Sequence, residues 1–95
     1  MTQQYLAGEL SMILAELQAV ATDEASARDV ARLRREAETV ALAALASVTV
    51  RALQLTDCLC WDSLTRGDSP AFCHQAAICT ELWEFGVCAG LLREA

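Results

Sequence analysis

The chain has 95 residues, 55% of them apolar, and a formal net charge of −6. Such a length makes one domain, residues 1–95, whose limited core a second copy or a partner protein would extend. The acidic balance excludes nucleic acid as the main partner, because phosphate binding needs clustered cations.

The first element reads as a helix. Leu6, Leu10, Ile13, Leu17 and Val20 recur at steps of four, three, four and three, one continuous apolar stripe. Thr2 caps its start, and Thr22-Asp23 supplies the break. Ser26 with Asp29 three residues on has the pattern of a capping box and opens a short polar helix through about Glu38. Only Val30, Leu33, Ala37 and Val40 can face inward from it. No glycine or proline separates this helix from the next, so the two can run together.

From about Ala41 to Arg66 a long helix is expected. Leu45, Thr49, Leu53, Thr56, Cys60 and Leu64 form one stripe, and Val48, Ala52, Leu55 and Leu59 a second. A helix apolar on two faces is buried on two sides. Arg66-Gly67-Asp68-Ser69-Pro70 then punctuates the chain. Gly67 is a left-handed stop, Ser69 a cap, and Pro70 takes the first position of the next helix. Helix punctuation accounts for every residue of the Arg-Gly-Asp sequence, which leaves no need for an adhesion motif. The last helix runs from Pro70 to about Arg93, again with two stripes: Phe72, Ala76, Cys79, Trp83, Gly86, Gly90, and Ile78, Leu82, Phe85, Ala89, Leu92.

The fold class is therefore all-α: a small bundle of three long helices plus one short one. The short link forces the last two into an antiparallel hairpin. Its seam sets Leu53, Thr56, Cys60 and Leu64 against Phe72, Ala76, Cys79 and Trp83. The first helix covers one remaining face. The other leaves apolar surface that predicts a homodimer or a protein partner. The expected interface residues are Trp61, Ile78, Leu82, Phe85 and Leu92, and a charge at Leu82 or Phe85 should dissociate the assembly.

A membrane is not expected. The weakly charged run Val40–Thr56 is broken by Arg51 and falls short of the ~20 apolar residues of a spanning helix. Met1 to Tyr5 lacks the basic start of a secretory signal. The expected location is the cytoplasm, where cysteines stay reduced or bind metal. Absence of lysine and asparagine, with eighteen alanines, reflects GC-rich bacterial coding rather than function.

Charge is uneven. Met1–Glu24 carries −4, Ala25–Arg51 carries +2, and the remainder −4. The arginines Arg28, Arg32, Arg34 and Arg35 read as a solvated face laced by Arg32–Glu36 and Arg34–Glu38 pairs, with a patch for an acidic partner as the alternative.

All five cysteines, the only histidine and both tryptophans follow Asp57. The alternative function is a metal-binding or redox-sensing site built from Cys58, Cys60, Cys73, His74 and Cys79, with zinc or another thiophilic metal as cofactor. Helical geometry opposes it. Cys58 and Cys60 point about 200° apart, and Cys73 and His74 about 100° apart, so neither pair chelates one ion while helical. The plainer reading makes Cys60 and Cys79 small hydrophobes on the hairpin seam, close enough to be a redox pair. His74 comes level with Asp62, which would orient its ring beside a cysteine nucleophile, but no oxyanion loop accompanies them. A third reading places an apolar ligand in a small-residue groove at Ala76, Gly86 and Gly90. No cofactor is expected on the favoured reading of a small helical interaction protein, and an enzyme is not favoured.

Overall fold

A computed structural model describes residues 3–92. It contains four helices: α1 (Gln3–Ala19), α2 (Glu24–Thr39), α3 (Leu42–Thr65) and α4 (Ser69–Cys88). The described residues include no strand. The expected helical bundle is thus present, with differences at the helix ends and in helix rotation. Thr2 and Arg93, expected at the outer ends of the first and last helices, lie outside the described residues.

In α1 the buried face is Leu6, Leu10, Leu14 and Leu17. Leu14 was missing from the expected stripe, and Ile13 flanks the core instead. The stripe simply centres one residue further round. The next helix starts earlier than Ser26. Asp23 is its cap, accepting from the Ser26 amide at 2.7 Å and the Ser26 hydroxyl at 2.9 Å. Those bonds hold the Asp23 carboxyl below its ordinary pKa, the amide contributing most. With 16 residues, α2 is no shorter in kind than α1. Val30, Leu33 and Ala37 face inward as their spacing required.

No glycine or proline ends α2, yet it stops at Val40, where the backbone turns extended. The reason is tertiary. A continuous rod would hold the apolar face of α2 away from Leu45, Val48 and Ala52, whereas the break lets α2 and α3 bury both against α1. Arg51 on α3 holds the fold-back, reaching Glu36 through two hydrogen bonds at 2.9 and 3.2 Å. Arg34 instead donates to Gln18 on α1 at 3.0 Å, and Arg32 lies 4.0 Å from Asp29. The expected Arg32–Glu36 and Arg34–Glu38 pairs are therefore replaced: three of the four partners serve helix–helix contacts instead, Glu38 accepting from the Ser11 hydroxyl on α1 at 3.0 Å.

The α3–α4 turn follows the punctuation closely. Gly67 has φ 72°, its amide bonds to the Leu64 carbonyl, and the Asp68 amide to that of Ser63. This is a Schellman stop, which a left-handed glycine makes at little cost. Asp68, rather than Ser69, caps α4 by accepting from the Ala71 amide at 3.2 Å. The far end of α4 repeats the device. Gly90 has φ 74°, and the Gly90 and Leu91 amides bond to Val87 and Gly86. Gly90 is thus a stop signal, not an interior small residue, and α4 ends at Cys88.

Helices pack in cyclic order α1–α2–α3–α4. In addition α1 touches α3 across the middle, while α2 and α4 do not meet. That short diagonal flattens the bundle to a thinnest extent of 16 Å. At 24 residues α3 is long and apolar enough to cross a membrane by length and composition alone, which the shorter count over Val40–Thr56 did not register. Here its Leu45, Val48, Ala52 and Leu59 build the core.

Candidate functional site: the outer face of the α3–α4 hairpin

The hairpin seam is rotated from its expected position. Thr49, Thr56 and Ser63 recur every seven residues along α3 and are fully buried. Their polarity is satisfied locally. Thr49 donates to the Leu45 carbonyl at 2.8 Å and Thr56 to that of Ala52 at 2.7 Å. Ser63 donates to Gln75 at 2.7 Å, and Gln75 donates onward to the Val20 carbonyl at 3.1 Å. Facing them on α4 are Gln75, Ile78, Leu82 and Gly86, the buried residues of that helix. Small hydroxyl residues and Gly86 let the two backbones approach. A Cβ at Gly86 would lie 3.3 Å from the Thr49 methyl and collide with Leu92.

This rotation keeps Thr56 buried and Leu53 against the core, and moves the other expected seam residues outward. Cys60, Leu64, Phe72, Ala76 and Cys79 now line a shallow groove with Asp57, Trp61 and Thr80, its volume about 360 Å³. Trp61 is 64% exposed, Leu64 54% and Trp83 43%. Trp83 lies one turn after Cys79 and Thr80, so it continues the same face. Burying these large side chains between α3 and α4 would force the helices apart. Small residues fill the seam, and the large ones remain at its rim.

The expected interface residues divide accordingly. Trp61 is exposed. Ile78 and Leu82 belong to the core of this chain, so they are not free to meet another one. Phe85 is half-buried and packs against the core. Leu92 is half-buried over Gly86. The small-residue ligand groove does not form either. Gly86 is covered by Leu92, Gly90 ends the helix, and Ala76 lines the hairpin face.

Nor does the fold assemble the proposed metal or redox set. Cys58 and Cys73 are exposed, and only Cys60 and Cys79 share a groove. His74 faces α1, alongside Glu16 and Val20, rather than Asp62, which pairs with Arg66 at 3.1 Å. Among the described residues, no group of three or more His, Cys, Asp or Glu side chains converges as a metal site. Burial pushes the Cys60 thiol above its ordinary pKa, with Cys79 and Asp57 adding to the effect. Burial and Asp57 raise Cys79 likewise. A raised thiol pKa means less thiolate and slower attack at neutral pH. Iodoacetamide at pH 7.5, where thiolate changes roughly tenfold per pH unit below the pKa, should therefore label exposed Cys58, Cys73 and Cys88 before Cys60 and Cys79. Peptide mapping of a time course gives the order. Equally rapid labelling of Cys60 and Cys79 would contradict the burial argument.

Signals for the rotation were present but quiet. Ser63 and Gln75 are polar, so periodicity counting left them out of both stripes. Comparison with protein-family models, curated proteins and solved structures gives no match.

Proposed function

We propose that this protein is a small helical interaction protein that self-associates through the outer face of its α3–α4 hairpin. The observation that carries this reading is the exposure of Trp61, Leu64 and Trp83 on one nearly uncharged face. Large apolar side chains grouped in this way cost solvation free energy in an isolated chain and favour contact with a like surface. Among the described residues, Asp57 is the only charged one in the groove, so a highly charged partner gains little there. A second hairpin offers a matching apolar ridge, and a two-fold arrangement uses the same patch on both chains. The core is complete without the partner, which makes association separable from folding.

Native mass spectrometry and sedimentation across a concentration series test this. The wild-type chain should form a dimer. Trp61→Glu and Trp83→Glu should each weaken it by roughly 30-fold, since buried tryptophan anchors are typically worth about 2 kcal/mol or more. Thermal melts of the dilute variants should stay near that of the wild-type monomer, because both side chains are exposed. A wild-type monomer at all concentrations, or a dimer indifferent to both substitutions, would refute the reading.

A further inference from the structure

A second surface differs in chemistry from the hairpin face. Between α1 and α4 runs an open groove of about 400 Å³. Its floor is apolar, formed by Leu6, Ile13, Phe85 and Ala89, and Met12 stands 66% exposed on its wall. Its rims are acidic on both sides. Glu9 and Glu16 come from α1, and Glu81 and Glu84 from α4.

Among the described residues, no arginine lines this groove. The ion pairs among the described residues use Asp29, Glu36 and Asp62, and none of the four groove glutamates. Burial and the neighbouring Glu16 charge raise the Glu81 pKa, with Glu84 adding to the effect. Four acidic side chains therefore border one apolar trough, a hydrogen bond between Glu16 and Glu81 joins its two rims, and no ion pair among the described residues neutralises them. Helix formation does not require them, and the core lies beneath them.

We propose that the α1–α4 groove receives an amphipathic helix of a partner protein, with apolar residues on one face and lysine or arginine flanking it. Dimensions support this occupant. Tyr5 to Glu16 covers three turns of α1, about 17 Å, the length of three turns on a docked helix. An apolar face fills the floor while basic flanks meet the two glutamate rims, the helix-in-groove mode of recognition. A second copy of this chain fits less well. Among the described residues, the only arginine-rich surface is the outer side of α2, where Arg28, Arg32 and Arg35 are exposed without a large apolar side chain among them. It matches the rims and leaves the floor empty. An anionic membrane surface is repelled by the same glutamates.

The test uses the full chain and a synthetic peptide of about eighteen leucines and lysines, long enough to hold a helix, with leucines at helical spacing. Two controls accompany it: the same peptide with glutamate for lysine, and a scramble that destroys the apolar face. Fluorescence anisotropy reads affinity, and the Met12 methyl resonance reads location. The lysine peptide should bind, shift Met12, and lose about fivefold in affinity in the Glu16→Gln/Glu84→Gln double variant, as expected for two partly exposed ion pairs. Neither control should compete. Trp61→Ala should bind unchanged, which separates this groove from the hairpin face.

Four results would overturn the proposal. The glutamate or scrambled peptide binds as well, the double variant loses nothing, or the tryptophan indole signals shift while Met12 stays fixed. Movement of Met12 with protein concentration alone, without response to peptide, would overturn it in favour of a second copy as the occupant.

Discussion

Replacing Leu82 with alanine should destabilise the fold by about 2–5 kcal/mol, the range for removing a fully buried leucine side chain. Leu82 is wholly inaccessible and lies in the core cluster with Leu10, Leu14 and Leu17. Truncation removes its transfer free energy and leaves a cavity whose walls relax only in part. A domain of this size has about 5–15 kcal/mol in total, so one substitution removes a large fraction. Leu82→Glu should go further and abolish the fold, because no cation is in the core cluster to pair with the carboxylate. Urea denaturation followed by circular dichroism measures both. The alternative placement of Leu82, at an interface between chains, gives a different result: a folded monomer after substitution. A well-folded Leu82→Glu monomer with a near-native midpoint would return Leu82 to the surface.

The second large effect should come from Ser63 and Gln75. Gln75 is fully buried, accepts from Ser63 on α3 and donates to the Val20 carbonyl just past α1. One side chain thus connects three helices and satisfies a carbonyl that the end of α1 leaves without a helical partner. Gln75→Ala should cost about 3–5 kcal/mol, combining a cavity with two buried polar groups left unpaired. Ser63→Ala should cost about 1–3 kcal/mol, because the Gln75 oxygen loses its donor in a dry environment. Gln75→Leu should be milder than Gln75→Ala, since it fills the space and Ser63 can turn to the Leu59 carbonyl, as Thr49 and Thr56 do with theirs. The Ser63→Ala/Gln75→Leu pair should cost less than the sum of its single substitutions by about 0.5–3 kcal/mol. Strict additivity in the urea midpoints would mean that the hydrogen bond contributes no coupling.

These two sites also separate what periodicity finds from what it overlooks. Leu6, Leu10 and Leu17 on α1 and the Val30, Leu33, Ala37 face of α2 declare themselves by spacing, because large apolar groups have nowhere favourable except the inside. Buried polar residues divide: Thr49 and Thr56 fall on the expected stripe, whereas Ser63 and Gln75 do not. Thr49 and Thr56 return their hydroxyls to their own helix, which makes them act as small apolar groups. Ser63 and Gln75 neutralise each other only once α3 and α4 are side by side. That pairing does not exist in one helix taken alone, so stripes of apolar residues point toward Cys60 and Leu64 instead.

The candidate site inherits that rotation. Trp61 is flanked by Cys60 and Asp62 and falls off the main stripe, which already marks it for exposure. Trp83 and Leu64 gave no such sign, because each sits correctly on an apolar stripe. Their exposure follows from size: a seam filled by Thr49, Thr56, Ser63 and Gly86 is too narrow to admit them. The acidic groove was less legible still. Glu9 and Glu16 lie about seventy residues from Glu81 and Glu84, and only the packing of α1 on α4 makes them the two sides of one trough (helix rows meet across a groove by packing, not by sequence distance).

What the amino-acid order determined by itself is the set of helices and the stop between the last two. Glycine's freedom at positive φ, proline's missing N–H and the short caps act within a few residues, so the stop at Gly67 and the Pro70 start read locally and fold as read, with the cap one residue earlier at Asp68. The tertiary structure decided the break at Val40, the rotation of α3 against α4, the burial of Ile78 and Leu82, and the dispersal of the cysteines and His74 onto different faces. Each of those depends on which surfaces fill space together. Two helices with apolar residues on two sides have several nearly equivalent ways to meet. Close packing of small hydroxyls against Gly86, and one serine–glutamine bond, select among them.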